Sequence, residues 1–304
     1  MANVYATGET VYDIIFRNDH PVAAKPGGSM LNSAVSMGRA GIPVSFIGQC
    51  GDDKTGDIIC SFLKDNNVDT KFMRRYSGQS TIALAFLDKY NNASYSFYKT
   101  SAPGTDYPSP PFTGEDFVIF GSYYSISDES HEKIAKLSEK AKNAGSLLIY
   151  DPNFRKPHLS ELDKLVSRIE KNIRTSDIVR GSSEDFQLIF GTTNAADTWN
   201  LDVFKNCKAL IYTSAEKNVH LCTPGYMHQY SVPRINPIST IGAGDAFNAG
   251  IIYAMIKNNF VPENSNPCQW KNLIETGINF SANVCLSYEN YISGSFARKL
   301  AQNH

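Results

Sequence analysis

The stretch that decides the fold is FVIFGSYYSISDESHEKIAKLSEKAKNAGSLLIY, residues 117–150. It begins with an apolar run at 117–120 and ends with a second apolar run at 147–150. Between these runs, residues 129–143 carry apolar side chains at helical spacing and stop before Gly145, a residue type that often follows a helix. A buried strand, an amphipathic helix and another buried strand are the unit from which parallel sheets are built.

The same alternation continues on both sides of this unit. Further strands are predicted at 4–7, 43–48, 178–179 and 209–212, and further helices at 29–40, 55–64, 159–174, 244–257 and 269–286. This order predicts an α/β fold, a doubly wound and mostly parallel sheet with helices on both faces.

Two segments depart from the alternation. Residues 10–24 and 71–100 are rich in aromatic and β-branched side chains, and turn residues divide them into short runs. We expect antiparallel strands there. The sequence thus predicts one α/β domain over residues 1–304, with a small β-sheet formed by segments 10–24 and 71–100.

The composition limits the possible partners. Lysine and arginine total 29 and aspartate and glutamate total 30, so a net charge of −1 argues against nucleic acid or an anionic membrane as partner. No run of about 18 apolar residues predicts a membrane helix. The N-terminal residues resemble no signal peptide, and the six cysteines form no C-x-x-C pair. We therefore expect a cytoplasmic protein with free thiols.

One candidate site is STIGAGDAFNAG, residues 239–250, where small residues lead into a helix. The backbone N–H groups of Ala243, Gly244 and Asp245 would converge at the helix start, which favours anions. The missing side chains at Gly242 and Gly244 would let a bulky anion reach them. Asp245, with the ordinary aspartate pKa of about 3.9, would stand ionised beside the anion. Alternatively, Asp245 is only a favourable first-turn acid and the glycines serve helix packing.

The second candidate site is PGGSMLN, residues 26–32, at another predicted helix start. Gly28 permits close approach, Asn32 can offer an amide, and Asp13 lies on the preceding strand pair. A carboxylate, an amide and bare backbone together suit a polyol. The alternative is an ordinary hairpin aspartate, a helix capped by Ser29 and a solvated asparagine.

The two sites together resemble the ribokinase-like (PfkB) family of carbohydrate kinases. Residues 239–250 are similar to the family's second signature, D-T-x-G-A-G-D-x-F-x-x-G. Residues 26–41, PGGSMLNSAVSMGRAG, followed by 46–57, FIGQCGDDKTGD, are similar to its first. YDPNFR, residues 150–155, resembles its D-x-N-x-R strand end. The resemblance covers nearly the whole chain and implies that the small sheet is a lid over a sugar site.

The resemblance also implies the chemistry: ATP as donor, Mg²⁺ as bridging metal, a sugar hydroxymethyl group as acceptor and Asp245 as the base. Gly242, Ala243 and Gly244 would then line the anion hole. The sugar would be held by Asp13, Gly28, Asn32, Lys99, Asn153 and Arg155. ATP would be held by Thr213, Ala215, Asn218, Thr240 and Asn283. The metal would be held, through water, by Asp185 and Glu184.

The resemblance also points to one branch of the family. Residues 8–16, GETVYDIIF, and 26–41 are most similar to fructokinases, which predicts D-fructose as acceptor; ribose, 2-keto-3-deoxygluconate and nucleosides stay open. Ser239 replaces the first aspartate of the second signature, and both glycines of the nucleotide-side T-x-G-x-x-G are missing from 213–218. A non-catalytic sugar sensor is therefore the alternative. The aromatic lid predicts a homodimer.

Overall fold

The computed structural model describes residues 2–87, 93–99, 106–215 and 217–302. Within them the strands are β1 (Val4–Thr7), β2 (Val11–Arg17), β3 (His20–Gly27), β4 (Val44–Gly51), β5 (Val68–Asp69), β6 (Met73–Tyr76), β7 (Ile82–Leu87), β8 (Ala93–Tyr98), β9 (Phe117–Gly121), β10 (Leu147–Asp151), β11 (Ile178–Ser182), β12 (Ala209–Ser214), β13 (Asn218–Thr223) and β14 (Tyr226–Ser231). The α-helices are α1 (Ser29–Arg39), α2 (Lys54–Asp65), α3 (His131–Asn143), α4 (Leu162–Thr175), α5 (Ser183–Phe190), α6 (Ala195–Trp199), α7 (Ala243–Lys257), α8 (Pro267–Cys285) and α9 (Gly294–Gln302).

The large sheet has the order β14-β13-β12-β11-β10-β9-β1-β4-β5, with β6 also paired to β4. Its strands pair in parallel except at β12-β13-β14, which run antiparallel. One apolar core contains Leu31 of α1 and Phe247 of α7, and a second contains Ile134 of α3 and Leu165 of α4. The prediction of a mostly parallel sheet covered by helices on both faces is confirmed.

A separate small sheet has the order β3-β2-β7-β8. Its central pair, β2 and β7, is parallel, whereas we expected antiparallel strands throughout. The predicted segment 71–100 also divides, because Met73–Tyr76 pairs with the end of β4 and so belongs to the large sheet. The Asp53 carboxylate accepts hydrogen bonds from the Ser80 N–H and hydroxyl, which holds the connection to β7 at the start of α2. Residues 88–92 and 100 lie outside the described residues.

Further differences from the sequence predictions lie at the ends of helices and strands and in short helices. Ser29 does not cap α1, because the N-cap residue is Gly28 and no side-chain capping bond is made there. The Ser29 hydroxyl instead donates to the Asp245 carboxylate. The sequence reasoning missed α5, α6 and α9. Among the described residues, we find no helix with the length and apolar character needed to cross a bilayer. The cytoplasmic location stays a prediction.

Candidate active site

The Asp245 carboxylate joins the two sequence sites. Gly242, at φ 81°, is the N-cap of α7, and Asp245 lies in the first turn of that helix. The Ser29 hydroxyl donates to Asp245 Oδ1 at 2.6 Å, and Asn32 Nδ2 donates to Oδ2 at 2.9 Å. Ser33, one turn further along α1, donates to the Asp245 backbone carbonyl at 2.9 Å. The N-terminal ends of α1 and α7 therefore meet at one buried carboxylate.

Burial changes the acidity of this carboxylate. It raises the pKa of Asp245 to about 6, although the hydrogen bonds from Ser29 and Asn32 act in the opposite direction. The charge of Asp151 raises the same pKa further, and the charge of Arg155 lowers it. The expectation of an ordinary pKa is therefore wrong, because desolvation outweighs the donors. Asp245 is still mostly ionised at pH 7, but it is a stronger base than an exposed aspartate.

The two glycines before Asp245 do not leave open space. A side chain at Gly242 would overlap the Asn290 carbonyl, so this glycine permits a close backbone contact. A Cβ at Gly244 would lie 2.6 Å from Arg180 Nη1, so a guanidinium already fills that space. The Ala243 N–H donates to the Thr240 carbonyl at 3.2 Å. Gly242 therefore permits a close backbone contact, as the packing alternative expects, and the Arg180 side chain lies beside Gly244.

Arg180 is the functional candidate that the sequence reasoning missed. It lies on β11, where its Nη1 contacts Asp151 Oδ2 at 3.0 Å and its Nη2 donates to Thr213 Oγ1 at 2.9 Å. The guanidinium also lies 5.6 Å from the centre of the Phe247 ring. A charged residue inside a buried parallel strand is unusual and needs partners, so the sequence did carry a signal. A buried cation beside the start of α7 can bind a phosphoryl oxygen.

Asp151 ends β10 and ties several site residues together. Its Oδ2 accepts a hydrogen bond at 2.6 Å from Asn248, which lies one turn after Asp245 on α7. Its Oδ1 accepts from the Asn153 N–H at 3.1 Å, and Asn153 has a positive φ of 40°. The resemblance placed Asn153 and Arg155 at the sugar. The structure places them at this carboxyl edge of the sheet, close enough for Arg155 to affect Asp245.

The glycines at the other site allow one carboxylate and one backbone carbonyl to approach. A side chain at Gly27 would overlap the Asp13 carboxylate, and one at Gly28, whose φ is 129°, would overlap the Glu9 carbonyl. Burial raises the pKa of Asp13 to about 7, with Lys25 lowering it and Glu9 raising it. Asp13 and Glu9 therefore form an acidic pair next to the start of α1.

A cavity of about 350 Å³ lies between the small sheet and the large sheet. Lys99, which follows β8, lines it, with its Nζ 6.0 Å from the centre of the Tyr123 ring. Burial raises the pKa of Glu9, which also lines the cavity, and the charge of Lys99 opposes that shift. The cavity is lined by Glu9, Thr10, Val11, Gln49, Tyr76, Thr81, Lys99, Tyr123, Tyr124, Ser127, Asp128 and Glu129. Glu9 thus lines the cavity and also acts electrostatically on Asp13.

The predicted nucleotide residues are divided between two places. Thr213, on β12, contacts Arg180. Asn218, on β13, pairs with Ser214 at the end of β12. Its Oδ1 is buried, and we find no partner for this atom among the described residues. Ala215, at φ 44°, lies in the turn between these two strands. Asn283 instead accepts from the Ser293 N–H at 2.9 Å, and the Thr240 carbonyl is engaged by Ala243. The structure therefore does not bring the five predicted nucleotide residues together: Thr213, Ala215 and Asn218 lie at one place, and Thr240 and Asn283 at another.

The two predicted metal residues have other partners. Asp185 Oδ2 accepts from the Ser182 N–H and hydroxyl, each at 2.6 Å, and its Oδ1 accepts from the Phe154 N–H at 2.7 Å. Glu184 is exposed and lies 3.5 Å from Lys156 Nζ. In the part of the chain that the structure describes, no three His, Cys, Asp or Glu side chains form a metal cluster. The described donor set therefore does not fit a metal held by protein ligands alone.

Replacing Ser29 with alanine should raise the pKa of Asp245 above its present value of about 6, by about one pH unit, because a donor to the charged form is lost. Carboxyl carbon NMR titration measures this directly. Ser33→Ala is the matched control, since Ser33 lies on the same helix but contacts the backbone carbonyl of Asp245. An equal rise in both variants would contradict the assignment.

This chain is similar to several known proteins in sequence or in fold. Aminoimidazole riboside kinase of Salmonella typhimurium is 25% identical over 264 residues, 85% of this chain and 82% of its own length. Fructokinase of Vibrio alginolyticus is 27% identical over 283 residues, 90% of this chain and 91% of its own length. The crystal structure of fructokinase from Vibrio cholerae O395 with fructose, ADP and calcium ion matches with a TM-score of 0.86 at 20% identity, covering 99% of each chain.

The structural match at that identity supports the fold alone. The family model described as pfkB family carbohydrate kinase matches residues 1–264, which include both signature segments and Asp245. This chain therefore belongs to the pfkB family of carbohydrate kinases.

Proposed function

We propose that this carbohydrate kinase transfers the γ-phosphoryl group of ATP to a sugar hydroxymethyl group, with D-fructose as acceptor and fructose 6-phosphate as product. One observation carries the proposal: a buried Asp245 with a pKa raised to about 6, held by Ser29 and Asn32 and close to the Arg180 guanidinium at Gly244. A base and a cation for the phosphoryl oxygens are what transfer to a hydroxyl requires.

Asp245 is the group that takes the hydroxyl proton. A general base works best when its pKa is near the working pH, and burial moves Asp245 in that direction. Ser29 and Asn32 hold both carboxylate oxygens, so the orientation of the base is set before the acceptor binds. Proton removal from the attacking hydroxyl would then need no rearrangement of α1 or α7.

Arg180 is the group that stabilises charge on the transferred phosphoryl oxygens, together with the N–H groups at the start of α7. In this structure its guanidinium contacts Asp151 and Thr213, so it is already oriented. When bound with the nucleotide, Mg²⁺ supplies further neutralisation of phosphate charge, and Asp185 and Glu184 are the carboxylates that we propose face it through water. The small sheet over the cavity would exclude water from the transfer.

The cavity supports a neutral polyol as acceptor. Glu9 and Lys99 line it, and Glu9 neighbours Asp13, so carboxylate acceptors and an ammonium donor are available to adjacent hydroxyls. The Vibrio alginolyticus relative, a fructokinase, matches over 90% of this chain. These observations support fructose as the first acceptor to test.

A riboside with an aromatic base is the second candidate. Three tyrosines, Tyr76, Tyr123 and Tyr124, line the cavity, and aromatic side chains are suited to packing against a flat base. The Salmonella typhimurium relative is an aminoimidazole riboside kinase. The aromatic wall is the observation that favours this candidate.

Asp245→Asn should lower turnover by several orders of magnitude while sugar binding persists, because the amide keeps the shape of the side chain but cannot accept the proton. The measurement is ADP release with Mg·ATP and fructose, ribose, 2-keto-3-deoxygluconate, inosine or aminoimidazole riboside, with sugar-dependent thermal shifts for binding. Asp202→Asn is the matched control, since Asp202 is exposed and pairs with Arg174.

The acceptor panel separates the alternatives. Turnover on fructose alone would support the proposal, and turnover on the riboside alone would favour the second candidate. Thermal shifts with no ADP release on any acceptor would favour a sugar sensor. Near-normal turnover of Asp245→Asn would show that Asp245 is not the base.

Arg180→Met should lower kcat by about 10²-fold, the usual cost of one lost transition-state donor, and should also lower the unfolding temperature, because Asp151 is left buried without its cation. Asp151→Asn alone and the double variant Asp151→Asn/Arg180→Met are the controls. We expect the double variant to regain stability but not turnover. Recovery of turnover would show that Arg180 acts only as the partner of Asp151.

The exposed apolar residues of the small sheet support a homodimer formed through this sheet. Val22 is 57% exposed, Phe97 54% and Tyr98 62%, and the exposed Phe86 stacks on Phe16. Covering such side chains against a second copy would remove apolar surface from water. Light scattering at micromolar concentration should give twice the chain mass, and a monomer would contradict the dimer.

A further inference from the structure

Two cysteines outside the Asp245 site lie close enough to react with each other. Cys50, on β4, is 1% exposed, and Cys60, on α2, is half-buried. Their Sγ atoms are 3.7 Å apart, and Cys50 Sγ also lies 3.9 Å from the Gly56 carbonyl. A disulfide needs about 2.0 Å between its sulfurs, so a small movement of the two side chains would be needed to form the bond.

A guanidinium distinguishes the two thiols. Arg75 Nη1, on β6, lies 3.8 Å from Cys60 Sγ. Arg75 Nη2 is held by the Asp57 carboxylate at 3.0 Å and by the Asp53 carbonyl at 3.2 Å, so the cation is fixed beside the sulfur. The Asp52 carboxylate, 3.5 Å from Arg75 Nη2, shares this cation with Asp57. The two carboxylates weaken the stabilisation of a Cys60 thiolate by Arg75 but do not abolish it.

The acidities of the two thiols diverge accordingly. The hydrogen bond from Cys50, together with the charge of Arg75, lowers the pKa of Cys60 below its usual range. The same hydrogen bond and burial raise the pKa of Cys50 well above its usual range. Cys60 is therefore the thiolate, half-open to solvent, and Cys50 is the protonated partner behind it. This is the arrangement of an attacking and a resolving cysteine.

We propose that Cys50 and Cys60 form a site of reversible oxidation, at which a peroxide produces an intramolecular disulfide and a dithiol restores the two thiols. In the first step the Cys60 thiolate attacks one peroxide oxygen: an S–O bond forms, the O–O bond breaks, and the departing hydroxide takes a proton to become water. In the second step Cys50 sulfur attacks the Cys60 sulfenic acid, an S–S bond forms, and the hydroxyl leaves as water with the Cys50 proton. The sulfurs lose two electrons in total, and the peroxide gains them.

The site lies directly behind the wall of the cavity. Cys50 follows Gln49, which lines the cavity and whose carbonyl accepts the Thr10 hydroxyl at 2.8 Å. The next residue, Gly51, donates its N–H to the Ser80 hydroxyl at 3.0 Å. The site does not depend on the proposed acceptor or on catalysis, so it can be tested on the resting protein.

The test treats the full chain with stoichiometric hydrogen peroxide and maps peptides without reduction. We expect a Cys50–Cys60 disulfide, a loss of two hydrogen atoms in intact mass, and full reversal by dithiothreitol. Cys268→Ser, which removes an exposed cysteine on α8, should leave this result unchanged, and Cys60→Ser should abolish it. Absence of the disulfide, or peroxide oxidation of Cys268 in its place, would overturn the proposal.

A second measurement needs no cysteine variant. In the unmodified protein, Cys60 should be alkylated about tenfold faster than Cys268 at pH 7, because a larger fraction of it is thiolate. Arg75→Gln should slow this alkylation and shift its pH midpoint upward. Alkylation of Cys60 no faster than that of Cys268 would overturn the role of Cys60 as the attacking thiol.

Discussion

The buried carboxylate of Asp245 is the contact on which the rest of the site depends. A buried charge without hydrogen bonds costs several kcal/mol or more, so the two donors on α1 are a structural requirement as well as a chemical one. Ser29 and Asn32 satisfy the two carboxylate oxygens, and Ser33 satisfies the backbone carbonyl of the same residue. The pairing of α1 with α7 is therefore specified by polar contacts at their starts and by apolar packing along their lengths.

A second buried charge group completes this arrangement. Arg180 contacts Asp151, and Asp151 also accepts from Asn248, which lies on α7 near Asp245. Nη1 and Nη2 of this guanidinium, which lies beside Gly244, thus have partners within the protein, whereas we find no partner for its buried Nε among the described residues. The cost of holding a buried guanidinium in place is met when the chain folds, so less reorganisation is left for the reaction.

Sequence patterns predicted the parallel sheet and the two glycine-rich helix starts, because both follow from local features: short apolar runs between amphipathic helices, and small residues before a helix. They did not predict that Ser29 and Asn32 at one start bind Asp245 at the other, which is a long-range contact. They could not predict where the small sheet begins. Met73–Tyr76 has the composition of either sheet, and its place depends on the free edge of β4, which is a long-range pairing. The raised pKa of Asp245 was out of reach for the same reason, since the groups that surround this carboxylate, Ser29 and Asn32 among them, are distant in the chain.

The balance of charge around the cavity favours a neutral acceptor. Glu9 and Asp13 lie together, and burial raises the pKa of each, so adding another negative group there would be unfavourable. The neighbouring Lys25 is already engaged by the Tyr288 carbonyl at 2.6 Å and by Asn290 Oδ1 at 3.0 Å. Lys99 alone would have to compensate the carboxylate of an acid such as 2-keto-3-deoxygluconate. A hydroxyl-rich neutral sugar would instead donate hydrogen bonds to both carboxylates and stabilise their charged forms, which is the physical basis for our proposal that the acceptor is fructose or a riboside and not a sugar acid.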